Sequence, residues 1–227
     1  MEQGSQEWRD ARVGRVTASR IGDVMRKLKN GTSGADRKRY MDKLVAERIT
    51  GRPMAQKSVA SLDRRLEMEP DARTAYEFYS DNTVEEVGFI EHPTIPFAGA
   101  SPDGLIGDDG GLEIKCCDSQ THIETLTSGV IDPDYLKQCD FGLACTGRKW
   151  WDFASYDPTM PEELKLYVQR VPRDEARIAA IEAAVIEFLA EVDARVRQVL
   201  AVAGGKTSLE FLLEQSLAGG KECRSTK

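Results

Sequence analysis

Between Asp174 and Val202, the apolar residues Ile178, Ile181, Val185, Leu189, Val192, Val196 and Val199 recur at spacings of three and four among charged residues. That is the period of one apolar stripe on a long helix, and such stripes pack against a core. Asp174 stands where a short side-chain oxygen caps the first free amides. Toward the other end of the chain, residues 17–28, 36–50 and 58–80 have helix-forming composition with few breakers. They are interrupted at Gly31 to Gly34 and stopped at Gly51-Arg52-Pro53. From Val84 the pattern changes to short extended runs, 84–91, 95–100, 111–116, 149–156 and 165–171, punctuated by Pro93, Pro96, Pro102, the Gly107 to Gly111 turn and Pro158. Residues 119–128 and 132–145 read as helices between them. This order predicts an α/β fold over residues 1–202, a single domain in which helices flank a small central mixed sheet. The tail 203–227 carries Thr207-Ser208-Leu209-Glu210, a capping-box spelling, ahead of Phe211, Leu212, Leu213 and Leu217. It predicts a short helix that packs on its own domain, on another subunit or on a partner.

Composition narrows the class. Of 227 residues 41% are hydrophobic and 30% charged, with a mean hydropathy of -0.43, the profile of a globular protein rather than a disordered one. No apolar run approaches the roughly 18 residues of a membrane span, and Met1 to Asp10 has no signal-peptide pattern. A cytoplasmic protein with no membrane partner is expected. Cys116, Cys117, Cys139, Cys145 and Cys223 are odd in number, show no CxxC spacing and have no histidine cluster, so they read as reduced, mostly buried thiols without structural zinc.

The net charge of -7 runs against nucleic-acid binding until its distribution is examined. Between Arg9 and Arg65 there are 16 Lys or Arg against 6 Asp or Glu, leaving 15 against 32 elsewhere. Such lopsidedness suits a face for a polyanion, and equally a set of solvated helix faces.

The strongest local signal is Ser101-Pro102-Asp103-Gly104 followed, after the glycine-rich turn, by Leu112-Glu113-Ile114-Lys115. In a hairpin, Glu113 and Lys115 share one strand face, Ile114 points to the other, and Asp103 folds back beside Glu113. Two carboxylates that close repel unless a cation lies between them, and all-oxygen ligation favours Mg²⁺ or Mn²⁺, with the Ile114 carbonyl as a further ligand. A lysine beside such a metal suits phosphodiester hydrolysis: it positions or helps deprotonate the attacking water and balances charge at phosphorus. The same letters also spell an ordinary turn acid and a cross-strand pair. Glu69, in the helical run before the hairpin, adds a carboxylate to the cluster, or is a solvated helix acid. Gln138, in Tyr135-Leu136-Lys137-Gln138, holds water or a phosphate oxygen, or is a surface polar residue.

The order Glu, Asp, Glu-x-Lys, Gln resembles the phage lambda exonuclease family, the viral recombinase nucleases of the PD-(D/E)xK superfamily. The resemblance runs from about Gln6 to about Arg173. It takes in Trp8, Arg12, Gly14 and Thr17-Ala18-Ser19; Glu69 with Asp71-Ala72-Arg73-Thr74; Ser101-Pro102-Asp103-Gly104-Leu105; Leu112-Glu113-Ile114-Lys115-Cys116; Tyr135-Leu136-Lys137-Gln138; and Phe153-Ala154-Ser155-Tyr156-Asp157-Pro158. It implies a PD-(D/E)xK core and a magnesium-dependent 5′→3′ exonuclease on linear double-stranded DNA. Such an enzyme releases mononucleotides and leaves a 3′ single strand for recombination by strand annealing. Asp103, Glu113 and the Ile114 carbonyl would bind two Mg²⁺ ions, for which Mn²⁺ substitutes, with Glu69 assisting, while Lys115 and Gln138 serve the water. Arg12, with Ser19 and Ser101, matches the family's pocket for the 5′-terminal phosphate. Trp8 falls beside the DNA entry and Lys29 at the DNA. Leu62 falls where an apolar wedge parts the end base pairs, or is a buried helix leucine. The resemblance further implies a homotrimeric ring, a phage or prophage origin and a single-strand annealing protein as partner. Two departures concern DNA gripping: Arg65 where the family often has glycine, and Lys29 where it has arginine. The rivals are an endonuclease on the same fold and a catalytically inactive DNA-binding module. An ATP-driven helicase–nuclease finds no support, since no GxxxxGK[ST] loop occurs.

Overall fold

In a computed structural model, residues 1–26, 34–54 and 60–202 are described, the side chains of 60–67 excepted. The chain opens with a short helix, α1 (Gln6–Ala11), capped by Ser5, whose side chain accepts from the Trp8 amide. A strand, β1 (Val16–Thr17), follows, then a 3₁₀ turn (Ala18–Arg20) and α2 (Ile21–Met25). The helix expected over 17–28 is thus shorter and begins later. Val16 and Thr17 pair as a strand with Ala98 and Gly99, and long-range pairing overrides local propensity there. Next come α3 (Ala35–Thr50), ended by left-handed Gly51, and α4 (Ala60–Ser80), with Pro70 inside it.

The extended run at 84–91 divides into β2 (Val84–Glu85) and β3 (Ile90–Glu91), which join different sheets. The run at 95–100 contracts to β4 (Ala98–Ala100), because Phe97 adopts φ 59, a left-handed conformation incompatible with a strand. Then follow β5 (Gly104–Ile106), β6 (Gly110–Cys116), α5 (Ser119–Ser128), α6 (Pro133–Thr146), β7 (Trp150–Tyr156), β8 (Leu166–Pro172) and α7 (Glu175–Val202). The central mixed sheet expected is the five-stranded β2-β5-β6-β7-β8, with helices on both faces, and a second, three-stranded sheet, β1-β4-β3, takes up strands that the sequence assigned to the first. The chain changes sheet at Ser101-Pro102-Asp103, and proline there has no N–H to continue a ladder.

The five-stranded sheet lies between two layers of helix. Leu112, Ile114, Cys116, Ala154 and Tyr156 face α4 and pack with Ala72 and Tyr76. On the other face Trp151, Phe153 and Val171 join the larger core with α2, α3, α6 and α7. The α7 stripe is buried as the periodicity predicts at Ile178, Ile181, Val185, Leu189, Val192 and Val196. It closes on Leu200 rather than Val199, which is exposed, since four residues beyond Val196 is nearer a full turn. Phe188 also joins it. Asp174 caps α7, accepting from the amides of Ala176 and Arg177. No helix among the described residues is long and apolar enough to cross a membrane. Lys29, the side chains of Leu62 and Arg65, Cys223 and the tail helix lie outside the described residues. The four other cysteines are buried and form no disulfide among the described residues.

Candidate active site

Strand β6 sits between antiparallel β5 and parallel β7. Its pairing with β5 ends where Gly104 meets Leu112, and the Asp103 amide donates to the Leu112 carbonyl at 3.2 Å. Beyond that point the β5 side of β6 is taken up by a side chain: Oδ2 of Asp103 accepts from the Ile114 amide at 2.6 Å. In a strand the N–H and C=O of one residue point the same way, so the Ile114 carbonyl faces Asp103 too. The next residues along the strand turn Glu113 and Lys115 to the opposite face, toward α6. There Glu113 accepts from Lys115 and from Nε2 of Gln138, the latter at 2.5 Å. From the other helical layer, α4 brings Glu69 to the same cavity, about 260 Å³ in volume, which Asp103, Glu113, Ile114, Lys115 and Gln138 also line. All six residues expected in the catalytic cluster are therefore together.

Packing a sheet face against a helix strips water from these acids, and their negative charges compound the cost. Glu113 is pushed up to about 8 by burial, with the repulsion of Asp103 and Glu69 adding to it. Glu69 is raised to about 7 by burial and by Asp103, and Asp103 is raised by burial. Lys115 is driven the other way from the usual buried amine: Glu113 and Asp103 hold its ammonium above the ordinary lysine range despite desolvation. The three acids and one carbonyl are all oxygen donors, and the acids outnumber Lys115 and Arg12, the cations that line the same cavity, which fits a hard divalent cation. Among the described residues no three acidic, His or Cys groups already stand as a closed ligand cluster. Two of the acids are instead held apart by internal partners, Glu113 by Lys115 and Gln138, and Asp103 by the Ile114 amide.

The far wall of the cavity comes from the small sheet. Because β1 and β4 run parallel, their ends deliver Thr17-Ala18-Ser19 and Ser101 to the same side. Arg12, just after α1, donates from Nη1 to Oγ of Ser101 at 2.7 Å, and Nε1 of Trp8 donates to the same oxygen at 2.9 Å. Having accepted twice, that hydroxyl keeps its own O–H for an anion. The guanidinium lies 4.0 Å over the Trp8 ring, and among the described residues no carboxylate forms an ion pair with it. Burial lowers the Arg12 pKa, so it stands as a desolvated cation awaiting a counter-charge. Arg12, Ser19 and Ser101 thus line one cavity, and Trp8 reaches Ser101 from beside it.

Some contributors escaped the sequence. Gln3 lines the cavity and donates to the carbonyls of Val87 at 2.9 Å and Pro102 at 2.6 Å, tying the residue before Asp103 in place. No local pattern marks it. Tyr135 lies 5.2 Å beneath the Lys115 ammonium and stacks on Phe153. Its position three residues before Gln138 on one helix is a signal that was available. Arg73 bridges Glu69 and Glu86 at 3.3 Å and 2.6 Å, one helical turn after Glu69.

Residues 7–149 match the YqaJ-like viral recombinase domain. A crystal structure of an alkaline exonuclease from Laribacter hongkongensis is 45% identical and superimposes with a TM-score of 0.80, over 88% of this chain and 98% of that one. The same enzyme in complex with dAMP is similar to 46% identity and a TM-score of 0.81 over the same shares. A phage-related exonuclease from Haemophilus somnus 129PT shares the fold, with a TM-score of 0.66 at 12% identity over 82% of this chain and 96% of that one. No curated protein matches the chain.

Proposed function

The chain belongs to the YqaJ-like viral recombinase family, and from that premise we propose a Mg²⁺-dependent 5′→3′ exonuclease that digests one strand of linear duplex DNA and leaves a 3′ single strand. That it is a deoxyribonuclease follows from the family and from its likeness to the alkaline exonuclease. The observation that carries the finer reading is one cavity with carboxylates at one wall and, at the other, an arginine with no ion pair among the described residues, Glu69, Asp103 and Glu113 facing Arg12, Ser19 and Ser101.

Asp103, Glu113 and the Ile114 carbonyl would hold Mg²⁺, with Glu69 beside them; the ion supplies charge neutralisation at phosphorus and a more acidic water. Lys115, beside Glu113, orients or helps deprotonate the attacking water and offsets negative charge growing on the phosphate oxygens. Gln138 carries an amide into the same space and steadies Glu113. Arg12 grips the terminal phosphate through its planar fork, with Ser101 and Ser19 donating hydroxyls. Capture of dAMP by the Laribacter enzyme supports a mononucleotide product. The description of the family as viral recombinases supports a place beside a single-strand annealing protein. A homotrimeric ring that threads the duplex completes the proposal, and sedimentation of the purified protein tests it.

Linear duplex, covalently closed plasmid and single-stranded DNA, each with and without Mg²⁺, separate this reading from an endonuclease or an inactive binder. Degradation of the linear duplex alone is expected, and cutting of the closed circle would overturn it. A 5′-phosphorylated end should be digested faster than a 5′-hydroxyl end, and Arg12→Ala should shrink that difference. Equal initial rates on both ends in the unaltered protein would remove Arg12 from the phosphate role while leaving the nuclease.

A further inference from the structure

Two short connections carry the chain between the two sheets: residues 86–89, between β2 and β3, and Ser101-Pro102-Asp103, between β4 and β5. Gln3, which lines the catalytic cavity, spans both. Its Nε2 donates to the Val87 carbonyl at 2.9 Å and to the Pro102 carbonyl at 2.6 Å. An amide nitrogen has two hydrogens, so each carbonyl takes one, and the amide oxygen, which can only accept, points elsewhere. A turn delivers the side chain there: the Ser5 amide donates to the Glu2 carbonyl at 3.2 Å across Gln3-Gly4, with Gly4 at φ 82. The turn leads straight into α1, whose Trp8 and the following Arg12 hold the Ser101 hydroxyl. The Pro102–Asp103 peptide is gripped from both sides. Its carbonyl accepts from Gln3 and its N–H donates to the Leu112 carbonyl at 3.2 Å. With that plane fixed, the Asp103 backbone has little freedom to swing, and its carboxylate is aimed at the edge of β6, where Oδ2 takes the Ile114 amide.

We propose that Gln3 is a positioning residue for the metal site: by tying the Pro102–Asp103 peptide to the 86–89 connection, it holds the Asp103 carboxylate beside the Ile114 carbonyl in the arrangement that accepts a divalent cation. This rests on the reading of Asp103, Glu113 and the Ile114 carbonyl as metal ligands. Gln3 acts through Asp103, and its contribution is preorganisation. The carboxylates of Asp103 and Glu113 repel each other. A Pro102–Asp103 peptide released from Gln3 would let Asp103 swing away and relieve that repulsion, and returning it would then oppose ion binding. Groups that orient a metal ligand from behind commonly change metal affinity roughly 10- to 100-fold when they are lost.

Gln3→Met keeps the length and volume of the side chain and removes both donors, so it separates the hydrogen bonds from the filling of space. Calorimetric titration of the full chain with Mn²⁺, without DNA, reads the site without any cleavage. Affinity for Mn²⁺ is expected to fall about tenfold in Gln3→Met, the lower end for a group behind a metal ligand. Gln3→Asn keeps the amide but is too short to reach both carbonyls, and it should weaken Mn²⁺ in the same direction by less. It also decides the matter if Gln3→Met does not fold. On linear duplex, the Mg²⁺ concentration for half-maximal rate should rise by a like factor while KM for DNA ends holds, because Arg12, Ser19 and Ser101 are untouched. Undiminished Mn²⁺ affinity in the folded variants would overturn the proposal. So would a raised KM for DNA at unchanged Mg²⁺ dependence, which would make Gln3 a DNA contact. An unaltered protein that binds no Mn²⁺ would remove the ligand assignment and this proposal with it. Binding and cleavage that the Gln3 variants leave as they are would remove Gln3 alone.

Discussion

Glu113 and Lys115 face a helix across a sheet, a place where an apolar pair would pack more cheaply, and the acids there are held at raised pKa by burial and by each other. Such a cluster is expensive to keep unless it works. Glu113→Gln and Lys115→Ala should therefore lose almost all cleavage while the protein remains folded and DNA-binding, measured by initial rates on linear duplex and by gel shift in Ca²⁺. Substantial activity in either would remove it from the site. The same shifts set a pH dependence. Below about 7 to 8 Glu69 and Glu113 carry protons and resist a divalent ion, so activity should rise with pH through that window. More Mg²⁺ should move the acid limb to lower pH, because ion and proton compete for the same oxygens. For stability the sign is opposite. Acids whose folded pKa lies above the ordinary 4.5 favour the folded state below that value, and lose the advantage as pH climbs to about 8. Metal-free protein should lose melting temperature from pH 6 to 9, and Mg²⁺ should restore more at the alkaline end. A Mg²⁺ effect independent of pH would contradict this.

At the scale of elements, α7 is the keel on which the helical layer is built. Phe188 is fully buried, stacks on Tyr40 of α3 at 5.7 Å, and lies under the Arg37 guanidinium at 4.9 Å. Removing a buried phenyl ring leaves a cavity and costs about 3–5 kcal/mol. Phe188→Ala should thus melt far earlier in thermal denaturation, and without Mg²⁺ dependence, because Phe188 lies in the larger core and no α7 residue is among those lining the catalytic cavity. An unchanged melting temperature would mean that the α3–α7 contact matters little. The hairpin β5–β6 depends on a close approach of another kind. A Cβ at Gly111 would sit 2.3 Å from the Trp151 ring, so this strand accepts no side chain where it crosses β7.

For the whole molecule the question is where the charge of the 9–65 region goes. Part of it is internal: Arg37 forms a bidentate pair with Glu191 at 2.7 Å and 2.8 Å, and Arg48 pairs with Asp193, both acids belonging to α7. Another part lines a cavity behind Arg12 through Arg9, Arg12, Arg15, Arg20 and Lys43. The first group is spent inside the fold as ordinary helix charge, and the second is placed where a polyanion face would need it. Each phosphate contact contributes about one power of salt concentration to DNA affinity. Arg9→Ala should lower the slope of log affinity against log salt by about one at unchanged melting temperature. Arg37→Ala should do the reverse, losing stability at unchanged slope. Equal slopes for Arg9→Ala and the parent protein would make Arg9 a solvated charge.

The sequence by itself determined what depends on short range. The α7 stripe and its Asp174 cap, the Gly51 stop, the alternation that sends Ile114 one way and Glu113 and Lys115 the other, and the fold-back of Asp103 are all consequences of fixed backbone periods and turn chemistry. The order of acids along the chain was enough to name the chemistry. What only the tertiary structure decided depends on residues far apart in sequence. Val16–Thr17 became a strand because Ala98–Gly99 was there to pair with it, and a second sheet took up strands expected in the first because Phe97 and Pro102 broke the run. Gln3 reached the carbonyl beside Asp103, ninety-nine residues away, with no pattern to announce it. The raised pKa values, the pairing of basic α3 with acidic α7, and the cavity behind Arg12 likewise follow from burial and proximity, which spacing along a chain does not encode.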